Sequence, residues 1–376
     1  MEMVYMNNAA TSWPKAPGVA EMVARKLVEI PHHAGRAGFS APDHAGDCRK
    51  QLADLLKISD HNRIVFCQNA THALNVAFHG FPWRPDATVI TTVAEHNSIL
   101  RPLHYLLQHQ CIRRVEFVPV DNQGRIIPEV LEDAIRKFSP QMVAFTHASN
   151  VTGSVNNAKL LCDLAKKAGA ATLLDASQTL GFTEVLPEAW GADLVAFTGH
   201  KYLLGPPGTG GLYIAPATIL EPVWVGGTGV KSELDTMPEE MPIRFEAGTP
   251  NDPAFAGLGQ ALTWLQENPF DRTALLAKVE RLAGGLAQAG AAVIDVSPDR
   301  TPVIAFTVPG WEVEDVGEIL QKSFGIICRT GLHCAPRILT QLGLSPRGSI
   351  RLSLSRFTTD AEVDYCIAAV KDIVQS

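Results

Sequence analysis

Residues 141–199 contain three short apolar runs, QMVAFTHA (141–148), ATLLDA (171–176) and ADLVAFTG (192–199). The segment NAKLLCDLAKKAG between the first two is typical of a helix. Near-continuous apolar strands that alternate with helices indicate a mostly parallel sheet covered by helices on both faces. Each run ends in polar or small residues, so we expect functional side chains where the strands lead into loops.

The alternation extends outward from this stretch. Further strands are predicted in RIVFCQ (63–68), ATVITT (87–92), VEFVPV (115–120) and GGLYIAP. After about residue 250 two long helices, 253–266 and 271–289, precede AAVIDV, PVIAFTV, a helix near 313–323, GIICRTG, SIRLSLS and a last helix from 359. The predicted fold class is α/β, with a large domain over 15–250 and a smaller α+β domain formed by 1–14 and 251–376.

Composition excludes several classes of protein. The chain has 376 residues, a net charge of −7 and 46% hydrophobic residues. These values argue against a disordered chain and against a general nucleic-acid binder. The apolar runs are strand-sized and the polar N-terminal residues do not resemble a signal peptide, so we expect no membrane partner. Seven scattered cysteines without metal-ligand spacing indicate reduced thiols, no metal site and a cytoplasmic protein.

Asp175 and Lys201 follow two of the predicted strands. A carboxylate at the mouth of a buried strand is costly unless it meets a cation. A lysine in such a setting can shift its pKa and act as a Schiff-base amine. Pyridoxal 5'-phosphate needs both groups, since an acid keeps its ring nitrogen protonated and an amine holds its aldehyde. An Asp and a Lys alone are more often a surface pair, so the surrounding residues decide.

Other polar residues at strand ends fit the same cofactor. A strand-to-helix turn in NATHALN offers backbone donors for a phosphate, and two side chains beside Lys201 add donors; these candidates are Ala70, Thr71, His72, Thr198 and His200. For Thr71 the alternative is an ordinary helix N-cap. His96 fits a ring-stacking group or a solvated loop residue, and Asn150 and Gln178 fit hydrogen bonds to the phenolic oxygen.

With these residues in view, the chain resembles the class V aminotransferase group of fold type I enzymes, which use pyridoxal phosphate, and most of all the cysteine desulfurases. The matching strings follow the family's order across almost the whole chain: NNAAT (7–11), NATHALN, AEHNS, HASNVTGSVNN (147–157), DASQ (175–178), FTGHKYLLGPPGTGGLY (197–213), RFEAGTPN (244–251), RTGLHCA (329–335) and SIRLSLSRFTT (349–359). Each string is weak alone, whereas the set is highly specific.

The resemblance implies a role for each matching cofactor residue. Lys201 is the Schiff-base lysine, Asp175 the partner of the ring nitrogen and His96 the stacking group. Asn150 and Gln178 face the cofactor oxygen. The phosphate contacts come from Ala70, Thr71, Thr198 and His200, with Thr249 supplied by the second subunit of a homodimer.

For the substrate, the resemblance implies that Arg351 grips the carboxylate and that Asn8, Ala9 and Ala10 lie nearby. Cys334 matches the cysteine that takes sulfur from L-cysteine as a persulfide and so releases alanine. A thiolate is the required nucleophile, and the neighbouring Arg329 and His333 favour it electrostatically. The other six cysteines are expected to be inert thiols.

Some positions depart from the family pattern. Leu332 replaces the first of two histidines in the cysteine loop, which is short as in one branch of the desulfurases. His72 stands where many relatives have Glu, and His32 and His33 in PHHAGRAGFS match only loosely. The substrate therefore stays open between L-cysteine and L-selenocysteine, as does the identity of a sulfur-acceptor protein. The alternatives are a selenocysteine lyase, another aminotransferase or epimerase, and a non-catalytic sulfur-carrier scaffold that binds the cofactor.

Overall fold

A computed structural model describes residues 3–30, 42–294 and 297–376. Its first part contains β1 (Val4–Tyr5), α1 (Val19–Val28), α2 (His44–Leu56), β2 (Ile64–Cys67), α3 (Ala70–Gly80), β3 (Thr88–Thr92), α4 (Asn97–Gln108), β4 (Arg114–Val118), α5 (Pro128–Phe138), β5 (Met142–Thr146), α6 (Ala158–Lys167), β6 (Ala171–Asp175), α7 (Pro187–Trp190), β7 (Leu194–Thr198) and β8 (Gly210–Ile214). The second part contains α8 (Asp252–Glu267), α9 (Arg272–Gln288), β9 (Ala292–Val293), β10 (Val303–Thr307), α10 (Val313–Phe324), β11 (Ile326–Ile327), β12 (Arg329–Gly331), α11 (Pro336–Gln341), β13 (Ser349–Ser353) and α12 (Asp360–Gln375).

The large sheet has seven strands in the order β2-β8-β7-β6-β5-β3-β4. β3 to β7 pair in parallel, whereas β8 runs antiparallel to both β2 and β7. Residues 199–209, which join β7 to β8, contain no helix. A connection without a crossover helix favours antiparallel pairing, which explains this exception. The predicted mostly parallel sheet is confirmed.

Helices cover both faces of this sheet. Phe145 and Leu174 pack on one face with Leu161 of α6. Their chain neighbours Ala144 and Leu173 pack on the other face with α3 and α4. Because side chains alternate along a strand, near-continuous apolar runs fill both layers.

The C-terminal part has its own core. The antiparallel sheet β12-β13-β10-β9 packs with α9, α10 and α12. β1 pairs in parallel with β11, which joins the N-terminal residues to this part. α8 instead shares the core of the large sheet, where Phe255, Leu258 and Leu262 pack beside Leu52 of α2. The exact domain limits therefore stay a prediction. Within the described ranges, no helix combines the length and apolarity that crossing a membrane requires.

Candidate active site

A cavity of about 280 Å³ lies at the edge of the large sheet where the parallel strands end. Most of the predicted residues line it: Ala9, Ala10, Ala70, Thr71, His96, Asn150, Asp175, Gln178, Thr198, His200, Lys201, Arg329 and Arg351. Sequence reasoning missed Asn69, Ser98, Thr146, Ala148 and Ser177, which line it as well. Parallel pairing brings these strand ends together, because carboxyl ends of neighbouring parallel strands share one edge.

Lys201 lies three residues beyond the end of β7 and faces this cavity. The pKa of its amine is lowered to about 8, chiefly by burial; the carboxylate of Asp175 acts in the opposite direction, and the guanidinium of Arg351 adds to the lowering. A lysine with a lowered pKa is partly neutral near pH 7, and the neutral amine is the nucleophile.

Asp175 is the last residue of β6 and is only 4% exposed. Its Oδ1 accepts hydrogen bonds from the backbone N–H of Ser177, at 2.9 Å, and from the Ser177 hydroxyl. The register that pairs Asp175 with Ala196 of β7 fixes its place relative to the chain that leads to Lys201. The cavity therefore has a carboxylate and an amine on adjacent strand ends.

The start of α3 forms another part of the wall. Asn69 caps this helix, since its Oδ1 accepts from the backbone N–H of His72 at 2.9 Å. Ala70 and Thr71 belong to the first turn, where backbone N–H groups lack partners within the helix and favour an anion. His72, also a predicted cofactor residue, does not line the cavity: its N–H donates to the cap, and its Nδ1 accepts from the N–H of Gln68. An Asn before a helix is the signal that we overlooked.

Two histidines at the cavity are held neutral. Burial, with Lys201 and nearby guanidinium groups, lowers the pKa of His96 to about 3. His96 is the N-cap of α4, and its Nδ1 accepts from the N–H of Ser98 at 3.1 Å. Burial lowers the pKa of His200 to about 4, and its Nδ1 lies 3.0 Å from the hydroxyl of Thr11. A neutral imidazole suits contact with a flat ring better than a buried cation does.

The amide side chains of Asn150 and Gln178 also line the cavity. Asn150 Nδ2 donates to the carbonyl of His333 at 2.8 Å. Gln178 Nε2 donates to the carbonyl of Ala9 at 3.0 Å. Gln178 Oε1 is buried and has no partner among the residues that the structure describes. A buried acceptor of this kind calls for a donor from a ligand or water.

Arg351 is buried in β13 with uncharged acceptors. Its guanidinium donates to the carbonyl of Asn150 at 2.9 Å and to Oδ1 of Asn7 at 3.2 Å. Its Nε has no partner within the described ranges. Burial and the guanidinium of Arg329 lower its pKa to about 10. Two cationic guanidinium groups that line one cavity favour an anionic ligand.

The cysteine loop lies against these arginines. Arg329 donates to Sγ of Cys334 at 3.0 Å, although Cys334 itself is not among the cavity-lining residues. The carbonyl of Cys334 accepts from the N–H of Asn97 at 2.7 Å, and Nε2 of His333 lies 2.9 Å from the hydroxyl of Ser349. This loop therefore places the thiol beside a cation at the cavity.

Backbone strain accompanies this placement. His333 and Cys334 have φ values of 50° and 57°, in the left-handed region that residues with a side chain rarely adopt. Behind the loop Gly331 and Gly348 also have positive φ, and a Cβ added at Gly348 would overlap the carbonyl of Gly331. The two glycines thus allow β12 and the residues before β13 to approach closely.

The remaining cysteines lie in different surroundings. Burial raises the pKa of the thiols of Cys48, Cys67, Cys162 and Cys366 well above the ordinary value. It raises that of Cys328 to about 11, and Cys111 is exposed and outside the cavity lining. A buried thiol with a raised pKa is a poor nucleophile, so Cys334, with Arg329 beside it, stays the candidate for sulfur chemistry.

Three further expectations have separate outcomes. Asn8 does not line the cavity, because its side chain bonds the carbonyl of Ser353 and the N–H of Trp13; its neighbour Asn7 contacts Arg351 instead. Thr249 is exposed and does not line the cavity of its own chain. His32 and His33 lie outside the described residues.

Comparison with known proteins gives the family. The model of the aminotransferase class-V family matches residues 4–366, so the chain belongs to that family. Within it, the resemblance to cysteine desulfurases is confirmed. A probable cysteine desulfurase of Methanothermobacter thermautotrophicus is 31% identical over 98% of this chain and 94% of the relative.

Solved structures agree with this relationship. The apo structure of a cysteine desulfurase from Thermococcus onnurineus superimposes with a TM-score of 0.89 at 27% identity, over 99% of this chain and 95% of the other. A cysteine desulfurase from Escherichia coli gives 0.87 at 26% identity, with the same coverage. The predicted fold class is thereby confirmed.

Proposed function

We propose that the protein is a cysteine desulfurase that uses pyridoxal 5'-phosphate, converts L-cysteine into L-alanine and takes the sulfur onto Cys334 as a persulfide. One observation carries the proposal. The thiol of Cys334 lies 3.0 Å from Arg329, and Arg329 lines the same cavity as Lys201 and Asp175. An aminotransferase needs the amine and the carboxylate, whereas a cysteine beside a cation at that cavity is required only for sulfur chemistry.

The residues present fit the cofactor. The partly neutral amine of Lys201 would hold the aldehyde, and the carboxylate of Asp175 would face the ring nitrogen. The first turn of α3, together with Thr198 and His200, would bind the phosphate. The unpartnered Oε1 of Gln178 would accept a hydrogen bond from the bound group. Once bound, pyridoxal phosphate supplies an electron sink for the carbon skeleton of an amino acid.

Arg351 and Arg329 would hold the carboxylate of the substrate. Both line the cavity. The Nε of Arg351 has no hydrogen-bond partner within the residues that the structure describes. A guanidinium binds a carboxylate through parallel N–H groups, which fixes orientation as well as position. The amine of Lys201, once it no longer holds the aldehyde, would then take the α-proton of the substrate. A group with a pKa of about 8 exchanges protons readily near neutral pH.

Cys334 would perform the sulfur transfer. Its thiolate attacks the substrate sulfur, an S–S bond forms and the C–S bond breaks. The electron pair of the C–S bond goes to the substrate carbon, which takes up a proton and leaves as alanine. No external oxidant or reductant is consumed. Arg329 donates a hydrogen bond to Sγ and brings a positive charge beside it.

We further infer a homodimer in which Thr249 of one chain completes the phosphate site of the other. The exposure of Thr249, together with its absence from the cavity of its own chain, supports this inference. The persulfide would pass to an acceptor protein or a small thiol. The free state of all seven cysteines agrees with a reducing compartment such as the cytoplasm.

Replacing Cys334 by Ala tests the function. In the presence of an added thiol, which cleaves the persulfide and frees sulfide, we expect release of alanine and sulfide from L-cysteine to fall to background, because the attacking sulfur is gone. The visible absorbance of the bound cofactor should stay. Cys111→Ala is the matched control, since that thiol is exposed and outside the cavity.

Other outcomes separate the alternatives. Undiminished alanine production by Cys334→Ala would contradict the proposal. Wild-type turnover of L-selenocysteine without turnover of L-cysteine would indicate a selenocysteine lyase. A product that depends on an added keto acid would indicate a transaminase. A bound cofactor without turnover of any amino acid would indicate a scaffold.

A further inference from the structure

Glu95 is a second carboxyl group close behind Asp175. It precedes His96 in the loop after β3 and is 0% exposed. Its Oε1 accepts from the hydroxyl of Thr92 and, at 3.2 Å, from the backbone N–H of Thr146. Thr146 ends β5 and is paired directly with Asp175. Glu95 therefore ties the loop of His96 to the ends of β3 and β5, and β5 lies next to the strand that carries Asp175.

The surroundings of Glu95 contain little that stabilises a negative charge. The groups that bond Oε1 are uncharged, and Oε2 has no partner within the residues described. Among these residues, the charged group that acts on it from a packed element is the like-charged Asp175. His96, the next residue, is held neutral by burial, which lowers its pKa to about 3. An ionised carboxylate buried without a cation is strongly disfavoured.

We propose that Glu95 is a positioning residue that stays protonated at neutral pH, a proposal that rests on the cofactor site proposed above. Of the two carboxyl groups, Asp175 alone is then charged. Two carboxyls that share a dry site do not both ionise readily. Burial raises the pKa of Glu95 to about 8, and the charge of Asp175 acts in the same direction, while the hydrogen bonds from Thr92 and Thr146 act against it.

Infrared spectroscopy of the holoenzyme tests the protonation directly. At pH 7 the wild type should show the C=O band of a buried carboxylic acid, and Glu95→Gln should lack it. The band should disappear as the pH rises through about 8. Glu132→Gln is the matched control, because Glu132 is exposed and its loss leaves the band in place. A wild-type spectrum without this band, or a band retained in Glu95→Gln, would overturn the proposal.

Stability gives a second readout. Since the pKa of Glu95 is higher in the folded state, the native protein holds one more proton than the unfolded chain between pH about 4.5 and about 8. Wild-type stability therefore falls as pH rises through this window. Relative to Glu95→Gln, its unfolding constant should increase by about tenfold per pH unit, measured by chemical unfolding at fixed cofactor concentration. Parallel pH curves for the two proteins would contradict the inference.

Cofactor affinity separates a protonated group from a charged one. Glu95→Ala frees the loop of His96 and should weaken cofactor binding by about tenfold or more. Glu95→Gln, which resembles the protonated side chain, should restore most of that loss. A Gln variant as weak as the Ala variant would show that the negative charge is needed. None of these readouts uses L-cysteine, so their failure is distinct from failure of the proposed function.

Discussion

The two sides of the cavity are built differently. The sheet side, formed by Asp175, Lys201 and the strand ends that carry them, follows the regular register of β6 and β7. The loop side, formed by Arg329, Cys334 and Arg351, belongs to the C-terminal part and includes residues in the left-handed region. A regular sheet fixes its side chains through many shared hydrogen bonds, whereas a strained loop depends on a few contacts.

The two sides also differ in charge. The sheet side offers one carboxylate and an amine that is partly neutral, whereas the loop side offers two guanidinium groups and a thiol. This difference separates the tasks that we propose. Changes on the sheet side should affect cofactor binding, and changes on the loop side should affect the substrate or the sulfur transfer while the cofactor stays bound.

After Cys334→Ala, the largest effect that we expect on the loop side comes from Arg351→Ala. Charge-assisted hydrogen bonds contribute about 1.5–3 kcal/mol, so kcat/KM for L-cysteine should fall on the order of 100-fold. The visible absorbance of the cofactor should remain, which shows that the sheet side is intact. Arg113→Ala, at an exposed position outside the cavity lining, serves as the control. Loss of the cofactor band in Arg351→Ala would contradict the division.

A pH titration of cofactor binding tests the lowered pKa of Lys201 on the sheet side. Since the pKa of Lys201 is lowered to about 8, its neutral fraction below that pH grows about tenfold per pH unit. The rate at which apo protein acquires visible absorbance with pyridoxal phosphate should rise with this fraction and level off above pH 8, as measured by stopped flow. Lys201→Ala should acquire no band. A plateau reached only above pH 10 would indicate an ordinary lysine.

The smallest effect concerns the support of the loop side. Ser349→Ala removes the hydroxyl that lies 2.9 Å from Nε2 of His333. A neutral hydrogen bond contributes about 1 kcal/mol, so persulfide formation on Cys334 should slow about fivefold, with cofactor affinity unchanged. Single-turnover labelling of the persulfide measures this, and Ser232→Ala at an exposed position is the control. Weaker cofactor binding in Ser349→Ala would show that the two sides are coupled.

The sheet side was readily predicted from the sequence. Its residues end apolar runs, and the parallel order of strands places such ends together whatever the loops between them do. Asp175 and Lys201 were therefore singled out by their places after predicted strands, while their roles followed from the surrounding residues and from the family resemblance. β8 was not foreseen as antiparallel, although the connection over 199–209 contains no helical pattern.

The loop side was less predictable. The sequence identifies Cys334, yet its distance from Arg329 depends on the pairing of β12 with β13 and on the positive φ of two non-glycine residues. The contact of Asn7 with Arg351, where the sequence had indicated Asn8, has a related origin. Which of two adjacent asparagines faces Arg351 is decided by the bridge between Asn7 and Ser353, far apart in sequence.

The contact between Gly331 and Gly348 also limits how this chain can vary over generations. Neither glycine lines the cavity, yet a methyl group at position 348 would press on the strand that leads to Cys334. Selection on sulfur transfer would thus remove substitutions at a site that touches no ligand. Leu332, by contrast, is 38% exposed and open to change. Natural diversity in this loop is expected to accumulate on its solvent face and to spare its glycine contact.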